Sequence, residues 1–166
     1  RQIYGNIINM IFSAFGNAPL SMSFDRMAAA IDDLAQNIEE EVYVQTGNTR
    51  YKFKYARTVK FLKHDEMLEA MNKASMVILQ GGWGTISEAL MLGKKIVSIP
   101  RRVGQECNHD QAELVRELER RGHLLGVYDT RDLGAVLERA RTHPFVPLER
   151  GRASHIISRT IDSWFC

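Results

Sequence analysis

Short apolar runs rich in β-branched residues recur along the chain at 7–15, 41–46, 58–62, 76–80, 96–99 and 124–128, and each predicts a strand. Between them, apolar residues return at helical spacing. The segments 24–37, 64–73, 85–92, 105–121 and 130–141 therefore predict helices, the last carrying Leu133, Val136, Leu137 and Ala140 on one face. Gly93 and Gly122 follow two of these segments as helix-closing residues. A final helix is expected over 152–165. The strands read as continuous apolar runs rather than alternations, so both of their faces should be covered. Strand and helix alternating in this way predict an α/β fold, a doubly wound, Rossmann-like parallel sheet with helices on both sides.

The 166 residues suit a single domain. Thr142-His143-Pro144-Phe145-Val146-Pro147 forms a rigid extended connector that sets a domain of 1–143 apart from a connector and terminal helix at 144–166. A content of 45% hydrophobic and 25% charged residues supports an ordinary core. The net charge of +2 comes from scattered Lys and Arg, not from the clustered basic residues that nucleic acid would need. A modest attraction to an anionic membrane surface or a phosphate stays open. No apolar stretch approaches the ~20 residues that span a bilayer. The opening Ile7-Ile8-Asn9-Met10-Ile11-Phe12 reads as a buried strand rather than a signal segment. The chain begins with Arg1 rather than Met, as a fragment or a processed product would. Cys107 and Cys166 lack CxxC or Cys/His ligand spacing, which favours two free thiols in a reduced, cytoplasmic chain over a Cys107–Cys166 disulfide.

The candidate chemistry lies in "QGGWGTISEAL", where the run at 76–80 meets Gly81, Gly82 and Gly84 before a helix begins. In open α/β sheets ligands bind beyond the carboxyl ends of the strands. A helix N-terminus there offers free backbone N–H groups and about half a positive charge. Glycines let the backbone adopt positive φ and let a phosphate approach closely. The turn thus reads as an anion site, although neither the dinucleotide fingerprint nor the P-loop pattern is present. Thr85-Ile86-Ser87-Glu88 also reads as a capping box, with Thr85 as N-cap and Glu88 reaching back to its N–H.

"VQTGNT", "KFL" with the following "EMLEAMNKA", "GGWGTISEAL", "GKKIVSIPRR" and "NHDQAEL" occur in this order. Together they resemble the C-terminal, donor-binding half of glycosyltransferase family 28. The likeness is to its stand-alone form, found in two-subunit UDP-N-acetylglucosamine transferases of dolichol-linked oligosaccharide synthesis and in small bacterial exopolysaccharide and capsule transferase subunits. It implies one half of a GT-B enzyme that moves a sugar from a UDP-sugar to a lipid-linked or polysaccharide acceptor, with inversion and without a metal. By this resemblance Gly81 and Gly82 face the UDP diphosphate, with Gly84 in the same turn and Thr85 beside it. Glu88 accepts hydrogen bonds from the ribose hydroxyls, and Gln111 with Asn108 and Asp110 holds the donor sugar. The loop of Gly16 and Asn17 closes over the donor, and Gly47 and Asn48 lie at the same edge. UDP-sugar is a substrate, so no cofactor and no metal site are expected, and no residue is assigned as the general base. His64, His123, His143 and His155 read as surface residues. The partner implied is a membrane-associated acceptor-binding subunit, contacted through Ile157, Ile161, Trp164 and Phe165 on one face of the terminal helix. That subunit would recruit a cytoplasmic chain to the inner face of a membrane.

Two positions depart from the family's pattern. Gln80 stands where His is frequent, and Trp83 stands where a small residue is usual. Trp83 either stacks on the ligand, faces a partner, or narrows the phosphate site. The last case raises a non-catalytic regulatory subunit as an alternative. A nucleoside-monophosphate phosphoribohydrolase of the lysine-decarboxylase-like family, with its similar GGxGTxxE motif, is another.

Overall fold

The computed structural model describes residues 9–148. The helix expected at 152–165, with Ile157, Ile161, Trp164 and Phe165, lies outside the described residues, as do His155 and Cys166.

Six strands, β1 (Met10–Ala14), β2 (Glu41–Gln45), β3 (Arg57–Val59), β4 (Met76–Gln80), β5 (Ile96–Ile99) and β6 (Leu125–Gly126), form one sheet in the order β3-β2-β1-β4-β5-β6. Every neighbouring pair is parallel. The helices are α1 (Asp25–Asn37), α2 (His64–Lys73), α3 (Trp83–Met91), α4 (Gln111–Arg120) and α5 (Leu133–Thr142). The open α/β sheet expected from the apolar runs is the one found.

The strand pattern explains the two layers. On β1, Ile11 belongs to one core with α1 and α5, while Phe12 and Ala14 belong to the other with α2, α3 and α4. On β4, Met76 and Ile78 face the first core and Val77 and Leu79 the second. Successive side chains point to opposite faces, yet each meets an apolar layer, so the alternation does not register in the sequence. Phe12, Phe15 and Phe24 are fully buried, each stabilising the fold by about 1.5–3 kcal/mol. Ser13 is tolerated in β1 because its Oγ donates to the Ile78 carbonyl at 2.8 Å.

Strand order runs outward from β1 to β3 on one side and from β4 to β6 on the other, so the direction of winding reverses between β1 and β4. The loops that follow these two strands diverge there and leave a crevice, the usual ligand position in such sheets.

Two expectations change. The helix expected at 105–121 is confined to Gln111–Arg120. The preceding residues form a loop in which Gly104 takes φ +78° and its N–H donates to the Cys107 carbonyl at 2.9 Å. Asp110 then starts the helix by accepting the Ala112 N–H at 2.8 Å. His123, expected at the surface, is buried against the connector, where Nδ1 lies 2.8 Å from the Val146 carbonyl oxygen. The connector itself lies on the domain: the Val146 N–H donates to the Gly122 carbonyl at 2.9 Å, and Leu148 packs on the core beneath α3 and α4. Cys107 is a buried free thiol.

Candidate functional site

The turn between β4 and α3 differs from a Thr85 capping box. α3 begins at Trp83 with Gly82 as N-cap, and no side chain caps it. The Gly81-Gly82 pair lets the chain turn straight from strand into helix, two residues before the expected cap. Thr85 therefore sits in the first helical turn. The Ile86 N–H reaches back to the Gly82 carbonyl at 3.3 Å, which leaves the earlier N–H groups of the helix without intrahelical acceptors. Glu88, released from capping, stands with its carboxylate 3.5 Å from His64 Nδ1 at the start of α2.

A cavity of about 400 Å³ opens in front of this helix end. It brings together Gly16, Asn17, Gly82, Gly84, Thr85 and Glu88 from the expected set, and adds Gln45, Phe61, Met67 and Gln80. Its character is divided. Its lining combines the glycines of the turn with the carboxylate of Glu88 and the apolar side chains of Phe61 and Met67. A Cβ on Gly84 would meet nothing within 4 Å, so the mouth there is open. Gly81 lies beneath the turn, where a Cβ would come within 2.8 Å of Gln111 Cβ. Its glycine identity is fixed by the approach of α4.

The loop after β1 lines both cavities, through Gly16 and Asn17 in the first and Asn17 and Ala18 in the second, whereas Gly47 and Asn48 of the loop after β2 line neither and support it from behind. Gly16 and Gly47 both have positive φ, +74° and +57°. A Cβ on Gly47 would lie 2.4 Å from the Gly16 carbonyl oxygen, so the two loops touch through their backbones. Asn48 ties them by donating to the Ala18 carbonyl at 3.1 Å.

A second cavity of about 220 Å³ adjoins the first and is lined by Asn17, Gln80, Arg101, Asn108 and Gln111 among others. Gln111 is buried, and its Oε1 accepts the Arg101 N–H at 3.1 Å. Asp110 is exposed and caps α4, and it lines neither cavity.

Arg101 was not singled out by the sequence, yet it organises this end of the sheet. It is buried, with Nη2 donating to the Phe15 carbonyl at 2.7 Å and Nη1 to the Met22 carbonyl at 2.7 Å and the Glu106 carbonyl at 3.1 Å. Its guanidinium also stacks over the Phe24 ring at 4.4 Å. Burial pushes its pKa down from the ordinary guanidinium value, and Glu106 opposes that shift. Glu106 is in turn paired with Arg26 at 2.9 Å. One signal could have found Gln45 and Gln80: each is the polar residue that ends an apolar strand.

Trp83 is half exposed and lines neither cavity, so it does not narrow either of them. Among the described residues, no group of three His, Cys, Asp or Glu side chains converges on a metal position. No helix among them is long and apolar enough to cross a membrane.

The model of the glycosyltransferase family 28 C-terminal domain matches residues 21–162. No curated protein matches the chain in sequence. Solved structures similar in fold include the glycosyltransferase SnogD from Streptomyces nogalater, at 18% identity and TM-score 0.56 over 83% of this chain and 38% of that one. Os79 from O. sativa, solved in complex with UDP, aligns at 14% identity and TM-score 0.62 over 82% of this chain and 32% of that one. The spinosyn rhamnosyltransferase SpnG, complexed with thymidine diphosphate, aligns at 14% identity and TM-score 0.61 over 82% and 38%. The chain spans about a third of the length of these glycosyltransferases, from 32% to 38%. At such identities the likeness is one of fold, the C-terminal half of the GT-B architecture.

Proposed function

The chain belongs to glycosyltransferase family 28, as its C-terminal domain, and from that premise we propose that it is the donor-binding part of a UDP-sugar-dependent glycosyltransferase. The observation that carries the reading is the convergence, in one cavity, of a helix end free of side-chain caps and a carboxylate free of capping duty. The diphosphate lies across Gly82, Gly84 and Thr85, where backbone N–H groups and the α3 dipole favour negative charge. Glu88 accepts from the two ribose hydroxyls. Phe61 and Met67 give the base an apolar wall. The sugar extends toward Asn108 and Gln111 in the second cavity.

The acceptor hydroxyl attacks the anomeric carbon from the face opposite the diphosphate. A new C–O bond forms as the bond to the diphosphate oxygen breaks, so configuration inverts. Charge develops on the departing UDP, where oriented N–H groups stabilise it in place of a metal. The acceptor's proton passes to a base that we assign to the acceptor-binding partner. That partner is a second, membrane-associated subunit carrying a lipid-linked or polysaccharide acceptor. It is engaged through Ile157, Ile161, Trp164 and Phe165, and it brings this chain to the cytoplasmic face of the membrane. The resemblance to two-subunit transferases supports this part.

Calorimetry with UDP in the presence of a chelator tests the donor site. UDP should bind without metal. Glu88→Ala should weaken it by about 1–3 kcal/mol, the cost of unmade charge-assisted hydrogen bonds. The melting temperature should hold, because Glu88 caps nothing. Undiminished UDP affinity in the mutant rejects the ribose assignment.

A further inference from the structure

Gln80 is the last residue of β4 and lines both cavities. Its Oε1 accepts the Arg101 Nε–H at 2.6 Å. A guanidinium has only donors and no acceptor. The contact therefore permits one orientation of the Gln80 amide, with oxygen toward Arg101 and NH2 away from it. Arg101 cannot readily turn to accommodate the other, since three of its four remaining N–H groups are bonded to the carbonyls of Phe15, Met22 and Glu106.

The NH2 group is thus directed toward the first cavity. A Cβ built on Gly16 would lie 2.1 Å from Gln80 Nε2, and one on Gly82 would lie 3.0 Å from it. The amide nitrogen sits between these two glycines, beside the uncapped end of α3. Among the described residues, no acceptor is bonded to it. Two N–H donors of fixed direction therefore line the cavity.

We propose that Gln80 binds the donor diphosphate through its NH2 group, and that Arg101 is the positioning residue that holds this amide in the donating orientation. The inference rests on the donor-site reading above and adds to it a residue outside the glycine turn. It also gives the buried guanidinium a purpose beyond structure. Unlike an imidazole in the same place, an amide donates without titrating, so its contribution persists wherever the diphosphate is ionised.

UDP titration of the whole chain, followed by calorimetry, tests the proposal with three single variants and one double variant. Gln80→Glu keeps the acceptor for Arg101 but turns an oxyanion toward the diphosphate. Its affinity for UDP should fall more than tenfold while its melting temperature is kept. Gln80→Leu should lose several-fold. Arg101→Met should lose a similar factor, and adding Gln80→Leu to it should cost nothing more, because the amide is no longer held. Should Arg101→Met fail to fold, Gln80→Glu decides alone. With 15N labelling, the Gln80 side-chain NH2 resonances should move on adding UDP and much less on adding uridine. A folded Gln80→Glu variant that binds UDP as well as the wild type overturns the role of Gln80 and leaves the donor site intact. A wild-type chain that binds no UDP overturns the donor reading itself, and the Gln80 proposal with it.

Discussion

Asp32 offers the sharpest test of how the connection behind the site is held. It lies in the middle of α1, a poor place for a buried carboxylate, yet it is 1% exposed. Its oxygens accept from the backbone N–H groups of Lys54, Tyr55 and Ala56 at 2.9–3.1 Å, and Oδ2 accepts from the Tyr51 hydroxyl at 3.2 Å. One side chain therefore shapes the return of the chain into β3. Burial pushes its pKa up, but the three N–H groups and the hydroxyl more than offset this, and the carboxyl sits below its ordinary value. Asp32→Ala leaves these donors without their acceptor. Each unmet buried donor costs about 1–3 kcal/mol. The four donors would sum to about 4–12 kcal/mol, but water reaches part of a surface loop, so a total of about 2–4 kcal/mol is expected, at or below the bottom of that range. At a urea slope of about 2 kcal/mol/M, that lowers the midpoint by about 1–2 M.

The pH dependence follows from the sign of the shift. A carboxyl with a depressed folded-state pKa stabilises fully above its unfolded value of about 3.9. It loses that contribution as pH falls through the lower folded value. Urea midpoints measured down the acid limb should therefore drop less steeply in Asp32→Asn than in the wild type. Equal slopes in the two proteins would refute the linkage, and an Asp32→Ala midpoint near the wild-type value would refute the loop anchoring. Because Asn48 of the same connection holds the loop of Gly16, UDP affinity should weaken along with stability.

Two further outcomes follow. Trp83→Ala should leave UDP affinity within about twofold and cost under about 0.5 kcal/mol of stability, as an exposed position away from the cavity does; a calorimetric change in affinity of either sign would return Trp83 to the ligand. Deleting residues 152–166 should leave a folded domain that binds UDP but neither assembles with the acceptor-binding subunit nor transfers sugar, read by melting, calorimetry and co-purification; an unfolded truncation makes the segment part of the core.

The sheet was legible because its strands are buried on both faces. Such runs end abruptly, at Gln80 and at Pro100, and the strands found are Met76–Gln80 and Ile96–Ile99. Where a boundary depends on backbone geometry, the sequence misled. Thr85 and Glu88 satisfy the spacing of a capping box, but the two glycines before Trp83 had already started the helix. The apolar and charged pattern before Gln111 was compatible with helix, and only the turn at Gly104 with the cap at Asp110 stopped it there.

The glycine turn was legible because glycine is costly and a cluster of it needs a reason. The roles of Gln80 and Arg101 were not: the sequence marked Gln80 only as a polar strand end where His is frequent in the family, and did not mark Arg101 at all. One is a polar residue ending a strand, and the other is half of an Arg-Arg pair in a loop. Their meaning lies in partners far away in the chain: Arg101 reaches Phe15 and Met22 across the crevice between β1 and β4. A buried guanidinium is tolerated only when its donors are met, and here carbonyls from the loops meeting at the crevice meet them. That links two sequence departures that seemed separate. Glutamine at position 80 supplies an oxygen to Arg101 and leaves a nitrogen for the cavity, so it joins the scaffold to the site. Trp83, three residues later, points out of that arrangement and is free to serve a different contact.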